Sequence, residues 1–137
     1  MLELIRIEDR QDLVLSMDPA VHPPSDCDQD EQAWREAVRA LPAAEAQLDG
    51  AGDPLIFTVR ALNAYEALRV VGAGDVESVI QAARIATVRV RGGGINAKGQ
   101  EAVDAALQRL PVAALSSLGA WVLKASVLSE DPTAPGV

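Results

Sequence analysis

Apolar residues recur every three or four positions in five segments of the chain, and this spacing predicts five helices. The segments lie approximately at 30–41, 64–72, 75–89, 98–110 and 111–128. Asn63 is the predicted N-cap of the second helix, and Glu66, three residues further on, completes a capping box. Asp75 is the predicted N-cap of the third helix.

Shorter stretches alternate between apolar and polar residues, which is the pattern of a half-buried strand. The clearest is 55–62, in which Phe57 and Val59 share one face. Residues 2–7 and 12–17 predict two further short strands, which either pair as a small hairpin or pack as two strands at one edge.

These elements together predict an α+β fold that is mainly α with a small β element. We expect a compact helical domain of about five helices, with two or three short N-terminal and central strands. Residues 1–131 are expected to form a single domain, with an acidic helical and loop insert at 25–53. Residues 132–137 are predicted to be a disordered tail.

The last predicted helix has almost no charged face, since Lys124 is the only charged residue between Pro111 and Leu128. A surface helix normally turns a charged face to water, so this helix is either central to a core or covered by a partner. A chain of 137 residues has limited interior for such a helix, which favours association. The predicted partner-binding residues are Leu115, Leu118, Trp121, Val122, Ala125 and Leu128.

The net charge of -8 excludes several classes of partner. Nucleic acids and anionic membranes are bound through lysine and arginine, which are in the minority here. Most of the excess charge falls in 25–53, which holds eight acidic residues against Arg35 and Arg39. We therefore predict no nucleic-acid and no membrane partner.

The sequence also predicts a soluble, intracellular protein. Cys27 is the only cysteine, so no disulfide can form within the chain. Glu3, Arg6 and Glu8 interrupt the apolar stretch that a secretory signal needs. No segment has the roughly 18 uninterrupted apolar residues of a membrane span.

Candidate catalytic and metal-binding motifs are weak. The alternating carboxylates of 26–30 resemble the start of a calcium loop, but Glu31 replaces the turn glycine and Ala37 the bidentate glutamate. His22 and Cys27 form a conceivable nucleophile pair that lacks a third, orienting group. We predict no catalytic residue, no metal site and no cofactor, and hence a protein that is not an enzyme.

A glycine run at 92–94 follows the third helix and matches no phosphate-binding pattern, so we predict a flexible break there. Arg84, Arg89 and Arg91 precede it and are locally basic. Such arginines either hold an acidic partner or satisfy helix carbonyls and nearby carboxylates.

Three stretches, taken in order, resemble a known family. They are LSMDPAV at 15–21, GDPLIFTVRALNAYEALRVV at 52–71 and LQRLPVAALSSLGAWVLKASVLSED at 107–131. The strand that enters a helix, the Leu110–Pro111 step and the closing Ser126–Glu130 segment are similar to the tail assembly chaperones of long-tailed bacteriophages.

That resemblance implies a non-catalytic protein of the host cell cytoplasm. It would bind the tape-measure protein, and possibly tail-tube subunits, during tail assembly. Self-association into a homo-oligomer is compatible with this role. The alternative is a structural virion protein, such as a tail-completion or head–tail joining protein, which would be present in purified particles.

Overall fold

The computed structural model describes residues 10–26, 28, 30–71 and 75–129 of the chain. Helices and strands alternate irregularly along this part. The strands are β1 Arg10–Leu15, β2 Val21–His22, β3 Ala40–Pro42, β4 Gln47–Leu48, β5 Ile56–Arg60, β6 Thr87–Gly92 and β7 Ile95–Lys98. The α-helices are α1 Glu31–Val38, α2 Ala64–Val71, α3 Asp75–Ala86, α4 Gln100–Leu107 and α5 Val112–Ser129. Two short 3₁₀ turns lie at Ala43–Glu45 and Gly50–Gly52.

The described strands form a five-stranded antiparallel sheet in the order β3-β1-β5-β6-β7, and β2 pairs with β4 in a separate ribbon. The prediction of a mainly α fold with a small β element is therefore wrong. The protein has an α+β fold in which the antiparallel sheet is the central layer. The predicted strand at 2–7 and the predicted tail at 132–137 lie outside the described residues.

Two strands that the periodicity missed account for much of this difference. The third helix ends at Ala86, and the chain continues directly as β6, where three of the four residues 87–90 are β-branched. The glycine run then forms the tight turn of the β6–β7 hairpin rather than a flexible break. Gly92 has φ +105°, and a Cβ there would lie 2.0 Å from the Pro54 carbonyl oxygen.

The strand and capping signals of the central segment are confirmed. In β5, Phe57 and Val59 are buried and their neighbours are half-buried. The Asn63 side chain accepts from the Glu66 backbone N–H at 2.8 Å, and the Glu66 carboxylate accepts from the Asn63 N–H at 3.0 Å. This reciprocal pair is the predicted capping box at the start of α2.

Successive residues of β1 point to opposite faces of the sheet and enter two separate cores. Leu13 and Leu15 belong to the larger core, which the sheet shares with residues of α2, α3, α4 and α5. Val14 belongs to a smaller core on the other face, together with Trp34 of α1. The acidic insert at 25–53 thus covers one half of the second face of the sheet.

Candidate protein-binding groove

Helix α5 is apolar almost all round because it lies between α3 and the β3–β1 side of the sheet. The side chains of Leu118 and Val122 are fully buried in the larger core, at 0% and 1% exposure. Ala114 and Ser126 are buried on the same helix. Together with Gly119 these residues form what we call the buried side of α5.

The contact between α5 and α3 is unusually close at Gly119. A Cβ at this position would lie 1.8 Å from the carbonyl oxygen of Val79, well inside van der Waals contact. Only glycine allows the two helix backbones to approach so closely. This position fixes α5 against α3 and determines which of its sides remains open.

The opposite side of α5 forms one wall of a groove of about 500 Å³. The other wall comes from the end of α1 and from the edge strand β3, contributed by Val38, Arg39, Ala40, Leu41, Pro42 and the nearby Glu45. The α5 wall consists of Ser117, Ala120, Trp121, Lys124 and Ala125. We call Ala113, Ala120, Trp121, Lys124 and Ala125 the groove side of α5.

A second recess of about 690 Å³ continues the groove towards the start of α5. It shares Arg39 and Ser117 with the first and extends to Ala113, while Met17 and the α1 side chains form its opposite wall. From Ala113 to Ala125 a helix rises about 18 Å at 1.5 Å per residue. The groove is therefore long enough for about three turns of a partner helix.

Trp121 is the largest side chain of the groove. It packs against the larger core while remaining half-buried, so part of its ring faces outward. A smaller cavity of about 150 Å³ lies on its other side, next to Arg60 and Ala125. Partly exposed tryptophans that are anchored in this way are the residues that most often dominate protein interfaces.

Arg39 is the most unusual residue of the groove. Its backbone has φ +66° and ψ -63°, a combination that residues other than glycine rarely adopt. The conformation is held by a hydrogen bond from the Ser16 N–H to the Arg39 carbonyl at 2.8 Å. It ends α1, starts β3 and leaves the Arg39 side chain exposed in both recesses.

The charged side chains at the groove are of both signs: Arg39 and Lys124 share the first recess with Glu45, and Glu36 lines the second. Arg39 and Lys124 are both exposed, and among the described residues neither has an acidic partner within salt-bridge distance. By contrast, Arg35 on the same wall pairs with Glu31 at 2.9 Å and donates to the Asp18 carbonyl at 2.8 Å. The first recess thus has a mainly apolar lining with two cations that form no salt bridge within the described residues, and the second recess is lined largely by polar side chains.

The predicted partner-binding residues separate into four groups. Trp121 and Ala125 line the groove, whereas Leu118 and Val122 are buried and have no surface to offer a partner. Leu115 is half-buried against the larger core. Leu128 lies in α5, but its side chain is outside the described part of the chain.

The other candidate motifs are placed apart from the groove. His22 Nδ1 lies 3.2 Å from Glu31 Oε1, and this contact, after the stronger bond from Arg35, lowers the pKa of the exposed Glu31 carboxyl. Cys27 is outside the described residues. Over the described ranges, no three histidine, cysteine or acidic side chains come together as a potential metal site.

Sequence reasoning missed the α1–β3 wall of the groove. The sequence pattern predicts Val38 and Leu41 on the apolar stripe of one continuous helix, and the reversal at Arg39 separates them. A positive φ in an arginine has no signature in the sequence. Pro42, which cannot continue an α-helix interior, was the one local signal that the helix ends early.

Comparisons with known proteins add no assignment to this geometry: no family model, curated protein or solved structure gives a significant match to the chain. In the described part of the chain, no helix is both long enough and apolar enough to cross a membrane.

Proposed function

We propose that the protein is a phage tail assembly chaperone that binds a helical segment of the tape-measure protein in the groove along α5. The observation that carries the proposal is the groove itself, which is about three helical turns long, mainly apolar in its first recess and anchored by the half-buried Trp121. The sequence resemblance at 52–71 and 107–131 supports the identity of the partner.

The physical basis is helix-in-groove recognition, in which an amphipathic helix lays its apolar face between two walls. A tape-measure protein is a long helical polymer whose apolar positions need cover until the tail is assembled. The groove side of α5 can cover such positions without unfolding of the chaperone, because the buried side already holds the helix in place. The net charge of -8 keeps the resulting complexes dispersed by repulsion.

The test is co-purification with the tape-measure protein from the same tail gene cluster, using Ala120→Arg as the blocking variant. Ala120 is exposed on the groove wall, so a long charged side chain there fills the groove without entering the core. Ala105→Arg is the matched control, because Ala105 is also an exposed alanine on a helix, α4, but lies away from the groove. Circular dichroism should show that both variants remain folded.

We expect Ala120→Arg to lose at least nine-tenths of the captured tape-measure protein, while Ala105→Arg captures it like the wild type. Trp121→Ala should weaken capture as well, by the amount typical of an interface hot spot, about 2 kcal/mol or roughly thirtyfold. Wild-type capture by a folded Ala120→Arg variant would show that the groove is not the binding surface. Recovery of the protein from purified virions at fixed stoichiometry would instead favour the structural virion component.

A further inference from the structure

The positive charges of this acidic chain are concentrated in one segment. Residues 78–100 contain Arg84, Arg89, Arg91 and Lys98 and no acidic residue, although the whole chain carries a net charge of -8. Three of these four cations lie in the β6–β7 hairpin. The proposed groove on α5 does not involve them.

The hairpin places two of the cations directly opposite each other. Arg89 and Lys98 are register partners, so their side chains share the face of the sheet opposite to the buried Val90 and Ala97. Directly opposed like charges destabilise a strand pair. Arg89 donates to the Asn96 side-chain oxygen at 3.1 and 3.3 Å, and within the described ranges no carboxylate forms a salt bridge with Arg89 or Lys98.

The carboxylate in the same cross-strand row already has partners. Asp12 lies two strands away in the same cross-strand row, where it accepts from the Thr58 hydroxyl at 2.7 Å and from Arg91 at 3.0 Å. These bonds lower the pKa of Asp12, the Thr58 hydroxyl most of all. The row therefore holds two cations, Arg89 and Lys98, against the single Asp12 carboxylate, which also pairs with Arg91.

The other half of the same face has the opposite charge. Trp34 of α1 packs over Val14, and the acidic insert 25–53 forms a raised layer there. Of its acidic side chains, Asp26, Asp28, Asp30 and Glu31 are exposed before and at the start of α1. Three others lie elsewhere: Glu36 and Glu45 line the α5 groove, and the Asp53 carboxylate accepts from the Gly94 N–H at the β6–β7 turn. One face of the sheet therefore has a half covered by α1, with the acidic segment 26–31 at its start, and an uncovered half that carries the basic residues of β6 and β7.

We propose that this face binds a second copy of the chain as a two-fold symmetric dimer, with the acidic layer of each copy resting on the β6–β7 face of the other. A two-fold interface is self-complementary, so a surface divided into acidic and basic halves satisfies both contacts at once. Because α1 covers only one half of the face, the α1 layer of one copy can occupy the uncovered β6–β7 half of its partner. Because the contacts are mainly between exposed charges, the dimer is weak and sensitive to salt.

Sedimentation velocity over a concentration series tests the dimer. Raising the salt from about 0.1 M to about 1 M shortens the Debye length from about 10 Å to about 3 Å, so the dissociation constant should rise at least tenfold. A dimer that is unchanged or tightened by salt would overturn the proposal, because apolar contacts would then hold it. A wild type that stays monomeric at low salt, or that instead binds a labelled single-stranded oligonucleotide, would also overturn it.

Two charge reversals then test the pairing itself. The double variant Arg89→Glu with Lys98→Glu reverses the basic half, and Asp26→Lys with Asp28→Lys reverses part of the acidic half. The two aspartates are chosen because Asp30 and Asp49 accept cap bonds from Ala33 and Ala51, and those bonds should be kept. Arg109→Glu, at an exposed position beyond α4, is the control for a charge reversal outside the proposed interface.

Each double variant alone should be monomeric at concentrations where the wild type and Arg109→Glu are dimeric. An equimolar mixture of the two double variants should form a heterodimer, because both of its contacts again join opposite charges. Failure of the mixture to associate would overturn the pairing even if each variant alone is monomeric. Capture of the tape-measure protein by Arg89→Glu with Lys98→Glu should be unchanged, which separates this inference from the proposed groove.

Discussion

The two sides of α5 are both mainly apolar in sequence but differ in burial. On the buried side, Gly119 brings the backbone against Val79 of α3, and Leu118 and Val122 have no exposed surface. On the groove side, Ala120 and Lys124 are exposed and Trp121 is half-buried. A helix without a charged face thus contributes one side to the core and the other to the surface. Because Gly119 holds α5 close against α3, the groove side remains accessible.

The largest expected effect comes from Gly119→Ala, which adds a methyl group at the close contact between α5 and α3. Alanine in a helix interior is normally favoured over glycine by about 1 kcal/mol. Here the added methyl would lie 1.8 Å from the Val79 carbonyl oxygen, so the helices must separate. We expect a net loss of about 3 kcal/mol in the free energy of unfolding, measured by chemical denaturation.

Gly50→Ala is the control for the Gly119→Ala measurement. A Cβ at Gly50 has no atom within 4 Å, so this variant should change stability by less than about 0.5 kcal/mol. If Gly119→Ala is as stable as the wild type, α5 does not approach α3 this closely, and the described groove would change shape.

A second prediction concerns Ser126, at the far end of the buried side. Its hydroxyl oxygen accepts from the Leu62 backbone N–H at 3.0 Å, in a buried bond that ties the β5–α2 connection to α5. Ser126→Ala leaves that N–H without a partner and should cost about 1 to 3 kcal/mol in denaturant unfolding. Hydrogen exchange of the Leu62 amide should become faster in the same variant.

Ser117→Ala is the matched control on the same helix. The Ser117 hydroxyl donates to the Ala113 carbonyl one turn earlier, and that carbonyl also lies within the helix ladder. Its removal leaves no buried group unpaired and should cost less than about 0.5 kcal/mol. Equal losses for the two serines would mean that the Leu62–Ser126 bond contributes nothing specific.

The contrast between the sides of α5 also shows which features the sequence could predict. The β5–α2 unit was predictable because its signals are local: alternation around Phe57 and the Asn63–Glu66 capping box. Strand β6 was not, because the β-branched residues after Ala86 continue an apolar pattern that a helix also accepts. The tertiary pairing with β5 and β7 decides between the two.

The groove was only half predictable for a similar reason. Trp121 and Ala125 were selected because an uncharged helix is unusual, but Leu118 and Val122 have the same pattern and are buried. Which side of such a helix faces α3 depends on the close approach at Gly119, which is a property of two helices. The second wall depends on the reversal at Arg39, which no local pattern indicates.

The third prediction tests the other anchor of the β5–α2 connection. Arg60 donates two bonds to the Glu66 carboxylate, at 2.8 and 2.7 Å, and these bonds lower the pKa of Glu66. A carboxyl with a lowered folded-state pKa stabilises the protein above its unfolded pKa of about 4.3, and the contribution is lost as pH falls through the folded pKa. Glu66→Gln should therefore be less stable by about 1 to 2 kcal/mol near pH 7.

The difference between wild type and Glu66→Gln should shrink as pH falls from about 5 and vanish below the folded pKa of Glu66. Thermal or urea unfolding at a series of pH values measures it. Glu101→Gln is the control, since Glu101 is exposed on α4 and should give a curve parallel to the wild type. A constant difference between wild type and Glu66→Gln across the series would show that the Glu66 charge is not coupled to folding.

The smallest expected effect on stability comes from the groove side, at Arg39, and it has the opposite sign. Replacing an exposed arginine by glycine normally costs stability through backbone entropy. At φ +66° and ψ -63° the arginine backbone is strained, so Arg39→Gly should leave the protein as stable as the wild type or raise its unfolding free energy by up to about 1 kcal/mol. Ala37→Gly, two residues earlier in α1, should instead lose about 0.5 to 1 kcal/mol.

The same Arg39→Gly variant separates stability from binding on the groove side. It removes one of the two free cations at the groove and should weaken capture of the tape-measure protein while the fold is unharmed. A destabilisation equal to that of Ala37→Gly would mean that Arg39 has an ordinary backbone conformation and that α1 and β3 do not form the second wall of the groove in this way. A stable variant with unchanged capture would confine recognition to the α5 wall, at Trp121 and Ala120.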